Sequence, residues 1–201
     1  TPKTQSALLE AMNDLQVTID GRTHALPLPF LVLATQNPVE YHGTFPLPEA
    51  QLDRFLMRIQ IGYPSPADEK KILREKDLAA QVRESKPALS RDEVLALQAA
   101  AEAVRVDEAL LDYIVRIAES TRRSGSGKLG LSPRGALALT RAARAYALVD
   151  GRDYCVPDDI KAVAVPVLSH RLLLDTSLYG MARISESQEA VLALLRGVPA
   201  P

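Results

Sequence analysis

Three residues far apart in this chain have side chains and settings suited to phosphate chemistry: Asn37, Arg54 and Arg134. Asn37 follows the run Leu31-Val32-Leu33-Ala34-Thr35-Gln36, which places a polar amide at the tip of an expected buried strand. Open parallel sheets present residues to a ligand crevice in this way, and an amide that donates and accepts can orient a water against a phosphate oxygen. Asn before Pro38 is also a common loop starter, and the dipeptide alone favours that plainer role. Arg54 stands in Leu52-Asp53-Arg54-Phe55, where apolar neighbours can hold a guanidinium rigidly at a surface. A guanidinium brought to a transferring phosphoryl group is worth roughly 10³–10⁵ in rate. A salt bridge to Asp53 or Glu49 is the commoner use of such a residue taken in isolation. Arg134 falls in the first turn of a helix opened by Ser132-Pro133. Free N–H groups, the positive dipole end and the guanidinium converge there into an anion site, although a nearby carboxylate would satisfy the same cation. The set points to part of a nucleotide-hydrolysing machine.

Other chemistries find little support. His24, His42 and His170 are far apart and lack Cys or carboxylate partners at metal-ligand spacing. They read as a hairpin residue, a loop residue and part of a helical surface shared with Arg171. No G-x-S-x-G elbow supplies a serine nucleophile. Cys155 lies between Tyr154 and Val156 and reads as a small buried hydrophobe; Tyr63 reads as a packing residue. Gly125-Ser126-Gly127-Lys128 imitates a phosphate loop, but Leu129 stands where a Mg²⁺-binding hydroxyl is needed and a helix precedes it. It reads as a linker.

The elements that must position these residues follow from periodicity and punctuation. Thr4 to Leu15 has Ala7, Leu8, Ala11, Met12 and Leu15 on one helical face. Val17-Thr18-Ile19 and His24-Ala25-Leu26 flank Asp20-Gly21-Arg22-Thr23, a hairpin with an Asp-Gly turn. Phe30 to Thr35 lacks alternation and predicts a central parallel strand covered on both faces; Phe55 to Ile61 predicts another. Gly62-Tyr63-Pro64 then breaks the pattern, which sets a boundary between an α/β part, residues 1–63, and an all-α part, residues 64–201. In the second part Ser65-Pro66 opens a helix to about Ala80. Ser90 and Glu93 make a capping box, with Leu89 and Val94 as its staple. Asp107 caps the next helix, which ends near Ser124-Gly125 and has Val106 and Leu111 as its staple. Ser132-Pro133 opens a helix closed at Asp150-Gly151. Val156-Pro157 opens one that Pro166 should kink or split. Ser185 to Leu195 predicts a short terminal helix in a weakly punctuated tail.

Bulk properties bound the rest. The chain of 201 residues is 47% apolar and 24% charged, ordinary for a globular protein. With 24 basic and 25 acidic residues its net charge is −1, which gives no support for bulk capture of nucleic acid or membrane. Arg122, Arg123, Lys128, Arg141 and Arg144 cluster, but three Phe and six Tyr provide no basic–aromatic interleaving. Nucleic acid is therefore disfavoured, and a solvated surface or subunit contact preferred. No apolar run approaches the roughly 18 residues of a membrane span. One cysteine excludes an internal disulfide and fits a reducing, cytoplasmic setting. Opening at Thr1, the chain looks like an excerpt of a longer one.

Taken in order, the motifs resemble the MoxR family of AAA+ ATPases. The likeness is carried by Pro2-Lys3-Thr4-Gln5-Ser6-Ala7-Leu8-Leu9-Glu10-Ala11-Met12, Gln16-Val17-Thr18-Ile19-Asp20-Gly21 and Ala34-Thr35-Gln36-Asn37-Pro38. It continues through Pro46-Leu47-Pro48-Glu49-Ala50-Gln51-Leu52-Asp53-Arg54-Phe55, Ser132-Pro133-Arg134-Gly135 and Ala142-Ala143-Arg144-Ala145. It covers residues 1 to about 174. The resemblance implies the C-terminal part of an AAA+ α/β core followed by an all-α lid. It implies sensor-1 at Asn37, the arginine finger at Arg54, sensor-2 at Arg134 and a pre-sensor-1 hairpin at 16–26. It also implies ATP with Mg²⁺ as ligands, a ring that is usually a hexamer, and chaperone-like remodelling of partners that often bear von Willebrand factor A-type domains. The Gly-rich loop and acidic pair of such enzymes are expected upstream, so the fragment alone is expected to be inactive. A non-enzymatic assembly module and a nucleic-acid-dependent AAA+ motor stand as alternatives.

Overall fold

The computed structural model describes residues 2–36, 48–74, 82–123, 127–174 and 180–201. Asn37, His42, the end of the expected 65–80 helix and Gly125-Ser126 lie outside them. Helix α1, Pro2–Asp14, packs on a hairpin of β1, Gln16–Ile19, and β2, Arg22–Ala25. The hairpin loop is shorter than expected. Ile19 pairs with Arg22, so Asp20 and Gly21 alone make the turn, with φ of 50° and 74°. That is the doubly left-handed geometry that Asp-Gly accommodates and that matches strand twist. Glu10 fastens the hairpin to α1, its carboxylate accepting from Thr18 N at 3.2 Å and Thr18 Oγ1 at 2.6 Å.

The two expected parallel strands do not form. Residues 30–36 and 55–61 carry no strand ladder, and Leu31, Leu33 and Ile61 are 76%, 86% and 94% exposed. A strand requires a neighbour to receive its N–H and C=O groups, and the described sheets are two antiparallel pairs, β1–β2 and β3–β4. Tyr63, read as a packing residue, is fully exposed.

Beyond that boundary the helices are where the caps place them. Helix α2, Glu49–Leu52, precedes it; α3 is Pro66–Arg74, with Ser65 Oγ accepting from Asp68 N at 3.2 Å. Helix α4, Arg91–Ala103, carries the Ser90/Glu93 capping box, and α5, Glu108–Arg123, is capped by Asp107 Oδ1 accepting from Ala109 N at 2.9 Å. Strand β3, Gly127–Leu129, pairs with β4, Leu173–Leu174, so the segment read as a linker is partly a short strand. Helix α6, Pro133–Val149, closes with Gly151 at φ 78°. Arg152 N donates to Ala147 O and Gly151 N to Leu148 O, the paired bonds of a Schellman end. Helix α7, Pro157–Leu168, runs through Pro166 without being split, and α8, Gly180–Gly197, is longer than expected.

The apolar core belongs to this helical part. Leu110, Tyr113, Ile114, Ile117, Ala118 and Thr121 recur at helical spacing on α5. Ala138, Leu139, Ala142, Ala143 and Ala147 give α6 a small-residue face for its close packing on α7, which contributes Ile160, Val163, Ala164, Val167 and Leu168. Val191 of α8 and Val198 join them, so the tail is built into the core. Cys155 is buried, as expected. Asp159, 1% exposed, accepts from Val156 N at 2.8 Å and is gripped by Arg152 at 2.5 and 2.8 Å. In residues 2–63, by contrast, Ala11 is the buried apolar residue among those described.

Candidate functional site

The chain turns sharply after α2, with Arg54 N donating to Gln51 O and Phe55 N to Leu52 O. Arg54 is half-buried, and its Nε is buried without a hydrogen-bond partner among the described residues. No ion pair joins it to Asp53, because the Asp53 carboxylate is engaged elsewhere. Asp53 accepts from Ser132 Oγ at 3.1 Å and from Arg171 Nε at 3.1 Å.

Arg171 is the centre of this region. It was read as part of a helical surface with His170, yet its side chain is 2% exposed. The residue follows the C-terminus of α7, where the chain turns back toward 53–58. Its guanidinium forks over the backbone on both sides of Arg54. Nη2 donates to the carbonyls of Asp53, at 3.1 Å, and Phe55, at 2.5 Å; Nη1 donates to Leu56 O at 3.1 Å and to Val167 O. With Nε on Asp53, all five N–H groups have acceptors, the full capacity of a guanidinium. Burial lowers the Arg171 pKa, and the Asp53 charge opposes that shift. His170 Nε2 lies 3.1 Å from Phe55 O and 2.9 Å from Arg171 Nη1. Burial and the adjacent guanidinium push its pKa down to about 4, so the imidazole is neutral at pH 7. Two further bonds continue the seam: Arg58 N donates to Pro166 O at 2.8 Å, and Arg58 Nη2 to Ser169 Oγ at 3.3 Å.

Arg134 lies next to this network. Ser132 is the N-cap of α6, its hydroxyl accepting from Gly135 N at 3.1 Å while it donates to Asp53. Arg134 is exposed on the first turn, no ion pair among the described residues holds it, and its charge contributes to lowering the Arg171 pKa. Gly135 leaves room for this arrangement, since a Cβ there would overlap Leu131 Cδ1 and lie 3.1 Å from Arg171 Cδ. The basic cluster proves dispersed: Arg122 donates to Leu131 O, Arg123 pairs with Glu119, and Arg144 donates to Glu102 O.

The comparisons fit this two-part arrangement. A family model for the ATPase family associated with various cellular activities (AAA) matches residues 1–57, and one for the AAA lid domain matches 119–193. Chaperone MoxR1 of Mycobacterium tuberculosis is 46% identical over 181 residues, covering 86% of this chain and 48% of the relative. Protein MoxR of Methylorubrum extorquens is 32% identical over 219 residues, covering 100% of this chain and 63% of the relative. This chain belongs to the MoxR family of AAA+ ATPases. Uncharacterized protein YeaC of Bacillus subtilis is 49% identical over 174 residues, 87% of this chain and 54% of that protein. The crystal structure of a candidate ATPase from Cytophaga hutchinsonii superposes at a TM-score of 0.86 and 37% identity, covering 100% of this chain and 63% of that one. The MoxR-family chain thus spans less than two thirds of the length of each of these relatives. Asp53 falls in the first matched region, Ser132 and Arg171 in the second. The bonds among them join a partial AAA+ core to its helical lid.

Sequence reasoning brought Arg54 and Arg134 forward but missed Asp53, Ser132 as its donor, and Arg171. The available signal was an arginine three residues past the apolar run Val163 to Leu168, at a helix end where a charge normally reaches solvent. Among the described residues no cluster of three or more His, Cys, Asp or Glu is placed to hold a metal ion. No described helix is long and apolar enough to cross a membrane.

Proposed function

We propose that this chain is the finger-and-lid portion of a MoxR-type ATPase that couples ATP hydrolysis to remodelling of a protein partner within a ring, a hexamer by family precedent. Residues 1–63 belong to its core and 64–201 to its lid. Arg54 reaches the nucleotide of the neighbouring subunit as the arginine finger and offsets charge on the transferring phosphoryl group. Arg134 contacts the terminal phosphate in its own subunit from the start of α6, aided by free N–H groups and the helix dipole. Asn37 orients the attacking water. The ligands are ATP and Mg²⁺; this chain supplies the amide of Asn37 and the guanidinium groups of Arg54 and Arg134, and the fragment alone is inactive.

The observation supporting this reading is the state of the two arginines. Asp53 is taken by Ser132 and Arg171, and no described carboxylate neutralises Arg54 or Arg134. Each cation, lacking a counter-ion among the described residues, suits an external anion of its own. A partner with a von Willebrand factor A-type domain follows from the family alone. In the full-length protein Arg54→Ala should lower kcat by roughly 10³-fold while nucleotide affinity changes little. An unchanged kcat would remove the finger assignment, and measurable Mg-ATPase activity of the 201-residue chain by itself would remove the claim that it is inactive.

A further inference from the structure

How Arg54 is aimed is a separate question, and its answer rests on the finger assignment above. Arg54 has no ion pair of its own among the described residues, and its Nε is buried unpartnered, so its direction is set by its backbone. That backbone is bracketed by the carbonyls of Asp53, Phe55 and Leu56, all held by Arg171. The Asp53 carboxylate meanwhile holds the hydroxyl that caps the helix of Arg134. Movement of α6 and α7 against α2 must therefore either carry residues 53–56 along or break these bonds.

We propose that Asp53, Ser132 and Arg171 form a latch that aims Arg54 according to the position of the lid helix bearing Arg134. What the lid does at one nucleotide is thereby relayed to the finger presented to the next. Asp53, Ser132 and Arg171 are positioning residues: they act through Arg54 and touch no nucleotide.

The test uses the full-length protein in mixed rings with ATP as the probe. A pocket donor carries Arg54→Ala and an intact nucleotide pocket; a finger donor carries Arg54 and an inactivated pocket. Hydrolysis in the mixture then depends on Arg54 of the finger donor. Asp53→Asn placed in the finger donor should lower kcat about 10-fold or more, the scale of a misplaced catalytic group, with KM for ATP within about 3-fold. Placed in the pocket donor, whose own finger is gone, Asp53→Asn should change kcat by less than about 2-fold. Ser132→Ala, which removes one hydroxyl, should reproduce the loss in the finger donor at about 3-fold and serves if Asp53→Asn does not fold. Equal losses in both positions, or a rise in KM at constant kcat, would overturn the latch in favour of general lid support. If the unmodified mixture fails to hydrolyse ATP, the finger assignment itself falls, which separates the two failures.

Discussion

Replacing Arg171 by leucine should unfasten residues 53–58 from the helical lid. The change keeps an aliphatic stem beside Gly135 but strands the Asp53 carboxylate, which is 25% exposed, and the carbonyls of Asp53, Phe55 and Leu56. Removing one member of a buried ion pair costs about 3–5 kcal/mol. Water reaches Asp53, and Ser132 still donates to it, so the lower end of that range applies to the pair. Each abandoned carbonyl adds about 0.5–1.5 kcal/mol. The expected loss is therefore at least about 3 kcal/mol, out of the roughly 5–15 kcal/mol typical of a domain. Urea unfolding of Arg171→Leu and Arg171→Lys beside the parent would measure it, with Lys intermediate because it keeps the charge but not the fork. Hydrogen exchange at Arg58 N, bonded to Pro166 O, reports whether the segment has detached. A loss below about 1 kcal/mol with Arg58 still protected would refute the clamp.

Three other outcomes are expected. His170 is held neutral in the folded state, with its pKa near 4 against an ordinary 6.5, so between those values the unfolded chain binds a proton that the folded chain does not. Stability is full above about pH 6.5 and falls as pH drops toward 4, by about 2 kcal/mol between pH 7.5 and 5; His170→Gln should flatten that difference in urea midpoints. Gly135→Ala should destabilise by about 1–3 kcal/mol through crowding of Leu131 and Arg171, whereas Gly197→Ala, with open space at its Cβ, should not; thermal melts compare the two. Asp159→Asn breaks the bidentate pair with Arg152, which holds the Asp159 carboxyl below the usual carboxylate range. It should cost about 2–4 kcal/mol in chemical denaturation.

The lid was legible because its signals are local. Ser65, Ser90, Asp107 and Ser132 each cap the helix they announce, and Gly151 ends α6 within a few residues of the punctuation that predicts it. The core strands were misread because apolar composition at 30–35 and 55–61 says what a segment would bury, not whether a neighbour is present to bury it. The site was half legible. Arg54 and Arg134 stand out by type and placement, but the residue that holds the backbone around Arg54, Arg171, is separated from Asp53 by 118 positions. Such pairing leaves no periodic trace in a single sequence. Pro166 does not split α7 because it sits two residues from the end of that helix, where little helix remains to be lost beyond it.

The most direct measurement is ATP turnover by full-length subunits mixed after each has been disabled differently, one by Arg54→Ala and the other at its nucleotide pocket. An arginine that acts on the neighbouring nucleotide predicts that the mixture hydrolyses ATP well above either parent. Turnover that stays at the level of the separate parents, in rings shown to contain both, would contradict it.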